Sequence, residues 1–195
     1  MDRWPADAKH ITRAVERLQQ GAVVAFPTDT LYAVAARAAD SAAVRRLYEV
    51  KKRPEAQPMI WLVKDAGQVD PVARITPEAA ALMARHWPGP LTLVLPARNA
   101  GDSMTIAFRA PDHPVALALL DQLGEPVASS SANRAGDPPP TDADQVEDRL
   151  GDTVDVILDG GSCRIGQPST ILDLSGDAPR ILRLGAIPAE LLLPT

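Results

Sequence analysis

Residues 41–63 read SAAVRRLYEVKKRPEAQPMIWLV, in which a helix, a basic cluster and a strand follow one another. Residues 41–50 are predicted to form a helix with Ser41 as its N-cap. Pro54 limits that helix, because proline disfavours helical geometry in the residue before it. The apolar run at residues 58–63 then predicts a buried strand. A helix that leads directly into a strand is typical of an α/β domain.

The basic cluster consists of Lys51, Lys52 and Arg53, and it lies in an acidic chain with a formal net charge of −5. Such a cluster can attract an anion locally without making the whole surface bind polyanions. An alternative interpretation is that the lysines only complement the dipole at the C-terminus of the helix. The cluster alone does not decide between an anion site and a helix terminus.

The rest of the chain continues the alternation of helices and strands. Further helices are predicted over residues 8–20, 76–86, 114–123 and 141–150, the last with Thr141 as its cap. Further strands are predicted over residues 22–26, 31–36, 91–95, 105–108, 126–129, 154–158, 169–174 and 180–183. Residues 109–113 and 130–140 are predicted to be loops. Because some strands follow one another through short turns, we predict an α/β fold on a mixed β-sheet and not a purely parallel one.

Composition restricts the possible classes of protein. The chain has 195 residues and one cysteine, Cys163, which excludes an internal disulfide and a cysteine-based zinc site. The three histidines lack metal-ligand spacing, so no metal site is predicted. The N-terminus has no signal-peptide pattern, and no apolar run approaches the ~18 residues of a membrane span. These features predict a cytoplasmic protein that does not associate with a membrane.

Three polar segments at the ends of predicted elements are candidates for a binding site. They are PTDT at residues 27–30, SSSAN at residues 129–133 and KKR at residues 51–53. Ligands of α/β sheets bind at strand ends, and hydroxyl groups together with positive charge can hold phosphates. The alternative for PTDT is a turn stabilised by Asp29, and the alternative for SSSAN is a helix cap or turn. The common P-loop, dinucleotide-binding and nucleophile-elbow motifs are missing.

Seven sequence blocks in a fixed order give these segments a common context. The blocks are PTDTLY (27–32), KKRP (51–54), HWPGPLT (86–92), FRAPDHP (108–114), SSSANRAG (129–136), STILD (169–173) and ILRLGAI (181–187). Together they resemble the YrdC/TsaC family, the threonylcarbamoyl-AMP synthases, over about residues 21–187. The resemblance implies a twisted mixed sheet with flanking helices around a large electropositive cavity. It also implies a single YrdC-like domain over residues 1–195, the short form of the family.

The resemblance implies a reaction as well as a fold. An adenylate-forming nucleotidyltransferase of this kind converts L-threonine, bicarbonate and ATP into threonylcarbamoyl-adenylate and pyrophosphate. The product serves the threonylcarbamoyladenosine modification of tRNA, which a partner threonylcarbamoyltransferase complex completes. ATP is expected as a substrate that brings its own Mg²⁺, without a metal site on the protein, and a weak contact with tRNA is expected.

The resemblance also assigns residues to the ATP site. Lys51 and Arg53 would be catalytic, because they would bind the ATP phosphates and stabilise charge as pyrophosphate leaves. Ser131 and Asn133 would bind the phosphate region from the opposite side, and Arg183 would contact the nucleotide. This set agrees with a reaction that needs positioning and electrostatic stabilisation instead of a protein nucleophile.

The threonine site is assigned to Thr28, Arg109 and Ser169, with Arg109 as the partner of the threonine carboxylate. Three positions depart from the family pattern. Ala33 stands where the family usually has glycine, and Leu62 stands where many members have histidine. A third departure is Lys52, which replaces a common glycine. The effect of Ala33 and Leu62 on substrate choice is left open by the sequence.

Two other functions compete with the synthase. A non-catalytic RNA-binding paralogue would use the same basic cavity, but the net charge of −5 and the few aromatic residues, two Phe and two Tyr, do not favour RNA binding. The YrdC-like domain of hydrogenase-maturation carbamoyltransferases would perform related chemistry. That domain normally sits in a much longer chain with acylphosphatase-like and zinc-finger parts.

Overall fold

The computed structural model describes residues 1–98 and 104–193. Five helices lie in these residues, and two short 3₁₀ turns occupy Ala66–Gln68 and Ala189–Leu191. The helices are α1 (Ala8–Gln19), α2 (Ser41–Lys51), α3 (Pro77–His86), α4 (Pro114–Leu123) and α5 (Ala143–Leu150). The strands are β1 (Asp2–Pro5), β2 (Val24–Phe26), β3 (Ala33–Arg37), β4 (Ile60–Leu62), β5 (Leu91–Pro96), β6 (Thr105–Arg109), β7 (Val127–Ser131), β8 (Val156–Asp159), β9 (Thr170–Asp173) and β10 (Arg180–Arg183).

The strands of the described residues form one sheet in the order β1-β8-β2-β3-β7-β4-β6-β5-β9-β10. Four neighbouring pairs are parallel, namely β1–β8, β2–β8, β4–β6 and β5–β9. The other five pairs are antiparallel. The prediction of an α/β fold on a mixed sheet is therefore confirmed. None of the helices in this part of the chain has the length and apolarity needed to cross a membrane.

Helices pack on both faces of the sheet. Strand β3 shows the division, because successive side chains of a strand point to opposite faces. Ala35 belongs to a core with side chains of α1 and α4, such as Leu18, whereas Val34 belongs to a core with side chains of α2 and α5, such as Leu47. A third core lies between α3 and strands β5, β6 and β9. The two faces are therefore filled by different helix pairs at one end of the sheet, and at the other end α3 covers one face.

Local sequence signals fixed several helix ends correctly. The hydroxyl of Thr76 accepts the N–H of Ala79 at 3.1 Å, and Pro77 is the first residue of α3. Gly124 ends α4 with a left-handed backbone, φ 73°. Glycine adopts this conformation without the steric cost that a Cβ atom brings.

Two predicted N-caps are wrong by one residue. Asp40 caps α2 in place of Ser41, and its carboxylate accepts two backbone N–H groups at 3.0 Å each. Asp142 caps α5 in place of Thr141, with an N–H to carboxylate distance of 2.9 Å. Asp and Ser are about equally good caps, so the choice depends on which residue has the extended backbone. Asp40 and Asp142 are the extended residues in the structure.

The strand boundaries also differ from prediction, for reasons of pairing. Strand β1 has no predicted counterpart, because it is an edge strand whose side chains are mostly exposed and show no apolar alternation. Arg109 and Ser131, predicted to lie in loops, are the last residues of β6 and β7. Arg109 is held in register with Leu62, and Ser131 with Ala33. Both functional candidates are thus carried by the sheet itself.

Candidate active site

A cavity of about 610 Å³ lies over one face of the sheet, between β3 and β10. A row of paired residues crosses its floor. Ser129 is in register with Ile60, which is in register with Ala107, and Ala107 is in register with Val94. All four line the cavity. Because paired residues of neighbouring strands point to the same face, strand register alone builds this floor.

The middle of the floor is apolar, and its surroundings are polar. Ile60, Ala107, Val94 and Ile171 line the middle. The polar lining residues are Thr28, Thr30, Tyr32, Gln57, Ser129, Ser130, Ser131, Asn133 and Ser169, together with Arg53, Arg109 and Arg183. The lining therefore has three arginines and no carboxylate among the described residues. An apolar pocket with a few convergent polar groups is the usual form of a small-molecule site.

The PTDT segment forms a tight turn at the end of β2. The buried hydroxyl of Thr28 donates to the carbonyl of Leu31 at 2.7 Å and accepts the N–H groups of Thr30 and Leu31 at 3.2 Å each. A turn stabilised by Asp29 is the alternative to a binding role that the sequence offers for this segment. The structure assigns the stabilising role to Thr28, and the Asp29 carboxylate is directed elsewhere.

The guanidinium of Arg109 is held from three sides. Its Nη2 forms an ion pair with the carboxylate of Asp29, its Nη1 donates to the hydroxyl of Thr30 at 2.7 Å, and its Nε donates to the carbonyl of Gly89 at 3.0 Å. The Arg109 side chain is 7% exposed, and Asp29 is fully buried. Burial lowers the pKa of Arg109, and the charge of Asp29 opposes that shift.

Lys51 joins the basic cluster to the SSSAN segment. Its amine donates to the carbonyls of Ser131 and Asn133, and its own carbonyl accepts the N–H of Ala135 at 3.0 Å. Lys51 is 2% exposed and is not among the residues that line the cavity. Burial, and then the charge of Arg53, lower the pKa of Lys51 to about 8. The ammonium thus lies behind the SSSAN segment and ties α2 to the end of β7.

Arg53 and Arg183 line the cavity from different segments. Arg53 follows α2, and its guanidinium donates to the carbonyls of Gln57 and Pro58 at 2.9 and 3.1 Å. Arg183 ends β10 and donates to the carbonyl of Ser169 at 2.8 Å and to its hydroxyl at 3.1 Å. Burial, and then the charge of Arg53, lower the pKa of Arg183. The two arginines are therefore close enough to interact electrostatically.

Asn133 has one free acceptor in a buried position. Its Nδ2 donates to the carbonyls of Arg134 and Asp137 at 2.9 and 2.8 Å. Its Oδ1 is buried and has no hydrogen-bond partner among the described residues. A buried polar atom without a partner is uncommon and calls for a ligand or water. Asn133 also lines the cavity, and this acceptor lies just beneath the lining surface.

The Sua5/YciO/YrdC family model, which bears the description telomere recombination, matches residues 16–185. The chain belongs to this family. The resemblance found in the sequence blocks is thereby confirmed over nearly the same part of the chain.

Three similar proteins illustrate the range of the family. The threonylcarbamoyl-AMP synthase of Bacillus subtilis is 41% identical over 197 residues, which cover 97% of this chain and 57% of that protein. The structure of Pyrococcus abyssi Sua5 complexed with L-threonine has a TM-score of 0.89 and 38% identity, with 97% of this chain and 58% of that chain covered. Escherichia coli YciO has a TM-score of 0.86 and 29% identity, with 98% and 97% covered. The chain spans a little over half the length of the first two proteins.

The structure brings nearly all the predicted site residues of this family member to one cavity. Seven of the eight line it, namely Thr28, Arg53, Arg109, Ser131, Asn133, Ser169 and Arg183. Lys51 is the eighth and lies behind the lining. Ala33 and Leu62, two of the three departures from the family pattern, are also lining residues.

Sequence reasoning missed two features of the site. The apolar floor was not predicted, because the uniformly apolar run at residues 58–63 does not show which of its side chains face a cavity. The partnership of Asp29 with Arg109 was also missed, because the two residues are distant in the sequence. No three His, Cys, Asp or Glu side chains are grouped to hold a metal ion in the described part of the chain.

Proposed function

We propose that this protein is an L-threonylcarbamoyladenylate synthase, an adenylate-forming nucleotidyltransferase. One observation carries the proposal. A single cavity brings together the Thr28–Arg109 end, suited to an amino acid, and the Ser131–Arg53–Arg183 end, suited to phosphates. The similarity to a Sua5 structure complexed with L-threonine supports this assignment.

In the proposed reaction the amine of L-threonine combines with bicarbonate to give a carbamate and water. A carbamate oxygen attacks the α-phosphate of ATP, the Pα–O–Pβ bond breaks, and pyrophosphate leaves. Arg109 binds the threonine carboxylate, because an arginine fork matches a carboxylate in geometry and charge. Arg53 and Arg183 stabilise the negative charge that moves onto pyrophosphate. The protein contributes position and charge, and its substrate supplies the nucleophile.

The side chains of the SSSAN segment complete the proposed phosphate site. Ser131 and Asn133 line the same cavity as Arg53 and Arg183, and the Ser131 hydroxyl can donate to a phosphate oxygen there. Lys51 stabilises bound phosphate from behind, through the segment whose carbonyls it contacts. Its positive charge acts over a short distance in a buried environment, where screening by salt is weak. Lys51 thus keeps an electrostatic role without lining the cavity.

Mg²⁺ is proposed to arrive as the ATP complex. The described lining offers hydroxyl and amide oxygens but no carboxylate, so it fits a metal ion whose oxygen ligands come mainly from phosphate and water. We also propose that the domain acts in the cytoplasm, where its product passes to a threonylcarbamoyltransferase complex that modifies tRNA, and that its own contact with tRNA is weak.

The test is a product assay on the purified protein with ATP, Mg²⁺, L-threonine and ¹³C-labelled bicarbonate. Mass spectrometry is expected to detect threonylcarbamoyl-adenylate with the label, in step with pyrophosphate release. Arg53→Gln and Arg109→Gln are expected to lower kcat/KM by at least 100-fold. Arg45→Gln is the matched control, because Arg45 lies exposed on α2, and it should stay within twofold.

The proposal fails if the wild-type protein binds ATP but forms no adenylate with threonine. Other amino acids would then be tested as substrates, and RNA as a ligand of the same cavity. An equal loss of activity in Arg45→Gln would also count against the proposal, since the effect of the other two variants would then not be specific to the cavity.

A further inference from the structure

Asp29 is a buried carboxylate, and neither the sequence nor the resemblance to the family assigns it a role in binding. It is 1% exposed and does not line the cavity. One oxygen, Oδ1, pairs with Arg109 Nη2 and accepts the N–H of Asp112 at 3.2 Å. The other oxygen, Oδ2, is buried and has no hydrogen-bond partner among the described residues. A carboxylate this buried is costly unless its charge is compensated, so its pairing with Arg109 accounts for its presence.

The pairing with Asp29 leaves some N–H groups of the Arg109 guanidinium free to bind a ligand. A guanidinium has five N–H donors in a fixed plane. Asp29, Thr30 and Gly89 take one each, from Nη2, Nη1 and Nε respectively. One N–H therefore remains on each of the two terminal nitrogens. Two N–H groups on neighbouring nitrogens are what a carboxylate accepts in a bidentate contact.

We propose that Asp29 is a positioning residue, which fixes the guanidinium of Arg109 so that its two remaining N–H groups face the carboxylate of the amino-acid substrate. This inference rests on the proposed function, in which Arg109 binds that carboxylate. Asp29 itself does not touch the substrate. Its role is to keep Arg109 charged, buried and in one orientation, which lowers the ordering cost of binding.

The substitution Asp29→Asn tests the role of the charge, because it keeps the size and one acceptor oxygen. The KM for L-threonine is expected to rise at least tenfold, while the KM for ATP stays within twofold. Asp155→Asn is the matched control. Asp155 also pairs with an arginine, Arg46, and accepts a backbone N–H, that of Val23, but it is not a lining residue. Its loss should lower the melting temperature and leave both KM values within twofold.

Two further measurements separate positioning from a general structural effect. In the wild type, L-threonine is expected to be preferred over its methyl ester, which lacks the carboxylate charge, by at least 30-fold. Asp29→Asn should reduce that preference to less than fivefold. In a double-variant cycle, Asp29→Asn should add less than twofold to the loss caused by Arg109→Gln, because Asp29 acts only through Arg109.

The outcomes distinguish this inference from the proposed function. If the wild type forms no threonylcarbamoyl-adenylate, the function itself is wrong. If the wild type is active and Asp29→Asn leaves the KM for threonine and the ester preference unchanged, the role of Asp29 is wrong. Should Asp29→Asn fail to fold, Asp29→Glu retains the charge but displaces the carboxylate by one methylene. A wild-type KM for threonine in Asp29→Glu would then overturn the inference.

Discussion

Lys52 has a Cβ atom, yet its backbone adopts a conformation that favours glycine. It follows α2 with φ 48° and ψ 42°, and it has the one positive φ among the non-glycine residues that the structure describes. For an L-residue this left-handed conformation costs about 1–2 kcal/mol. Glycine avoids that cost, but it lowers the stability of the fold by about 0.5–1 kcal/mol because its unfolded state has greater entropy. Lys52→Gly is therefore expected to be more stable than Lys52→Ala by about 0.5–1 kcal/mol. The two variants are compared with each other because both remove the lysine charge.

Arg45 provides the control for this comparison, because it is exposed in the middle of the same helix. There the order reverses, and Arg45→Gly should be less stable than Arg45→Ala by about 1 kcal/mol. Urea unfolding followed by circular dichroism measures both pairs. With an m value of about 2–3 kcal/mol/M, the expected difference at Lys52 shifts the midpoint by roughly 0.2–0.5 M. If glycine is the less stable variant at both positions, the strain assigned to Lys52 is refuted.

Three further predictions concern buried groups. Thr170→Val should destabilise the fold by about 2–4 kcal/mol in urea unfolding, because the Thr170 hydroxyl accepts two backbone N–H groups at 2.9 and 3.1 Å, and Thr170→Ser should cost less than half as much. Burial raises the pKa of Cys163 to about 11, so its alkylation at pH 8 should be at least ~100-fold slower in the native state than in urea. The pKa of Lys51 is lowered to about 8 and its unfolded value is near 10.4. Between these values the unfolded chain binds more protons, so the stability of the wild type relative to Lys51→Met should rise with pH, by at most about 1.4 kcal/mol per pH unit.

Helix boundaries were the part of the fold that sequence predicted best. The ends of α3 and α4 are set by interactions within a few residues, such as the Thr76 cap and the Gly124 terminus. The predicted N-caps Ser41 and Thr141 were wrong by only one residue, because the observed caps are their neighbours. Edge strand β1 was not predicted. It is stabilised by backbone pairing with β8, which lies more than 150 positions away in the sequence, and local patterns do not report such a contact.

In the site, as in the fold, contacts between residues distant in the sequence were not predicted. The sequence blocks identified seven of the polar residues that line the cavity, but they gave no direction for the side chains. Arg109 meets Asp29 only because β6 and the end of β2 reach the same region, and the separation of these residues in sequence is 80. No periodicity or spacing rule encodes a contact of that kind. Strand register decides it, and register follows from the whole sheet.

The basic cluster shows how one short segment supports three separate roles. Charge alone leaves Lys51, Lys52 and Arg53 with two interpretations, an anion site or a helix terminus. In the structure α2 ends at Lys51, whose amine reaches the carbonyls of the SSSAN segment. The left-handed residue Lys52 then turns the chain, so that the N–H of Arg53 bonds back to the carbonyl of Tyr48 at 3.1 Å. That turn directs Arg53 to the cavity while Lys51 remains buried behind it. The backbone conformation at Lys52, and not the density of charge, therefore places one cation on each side of the SSSAN segment.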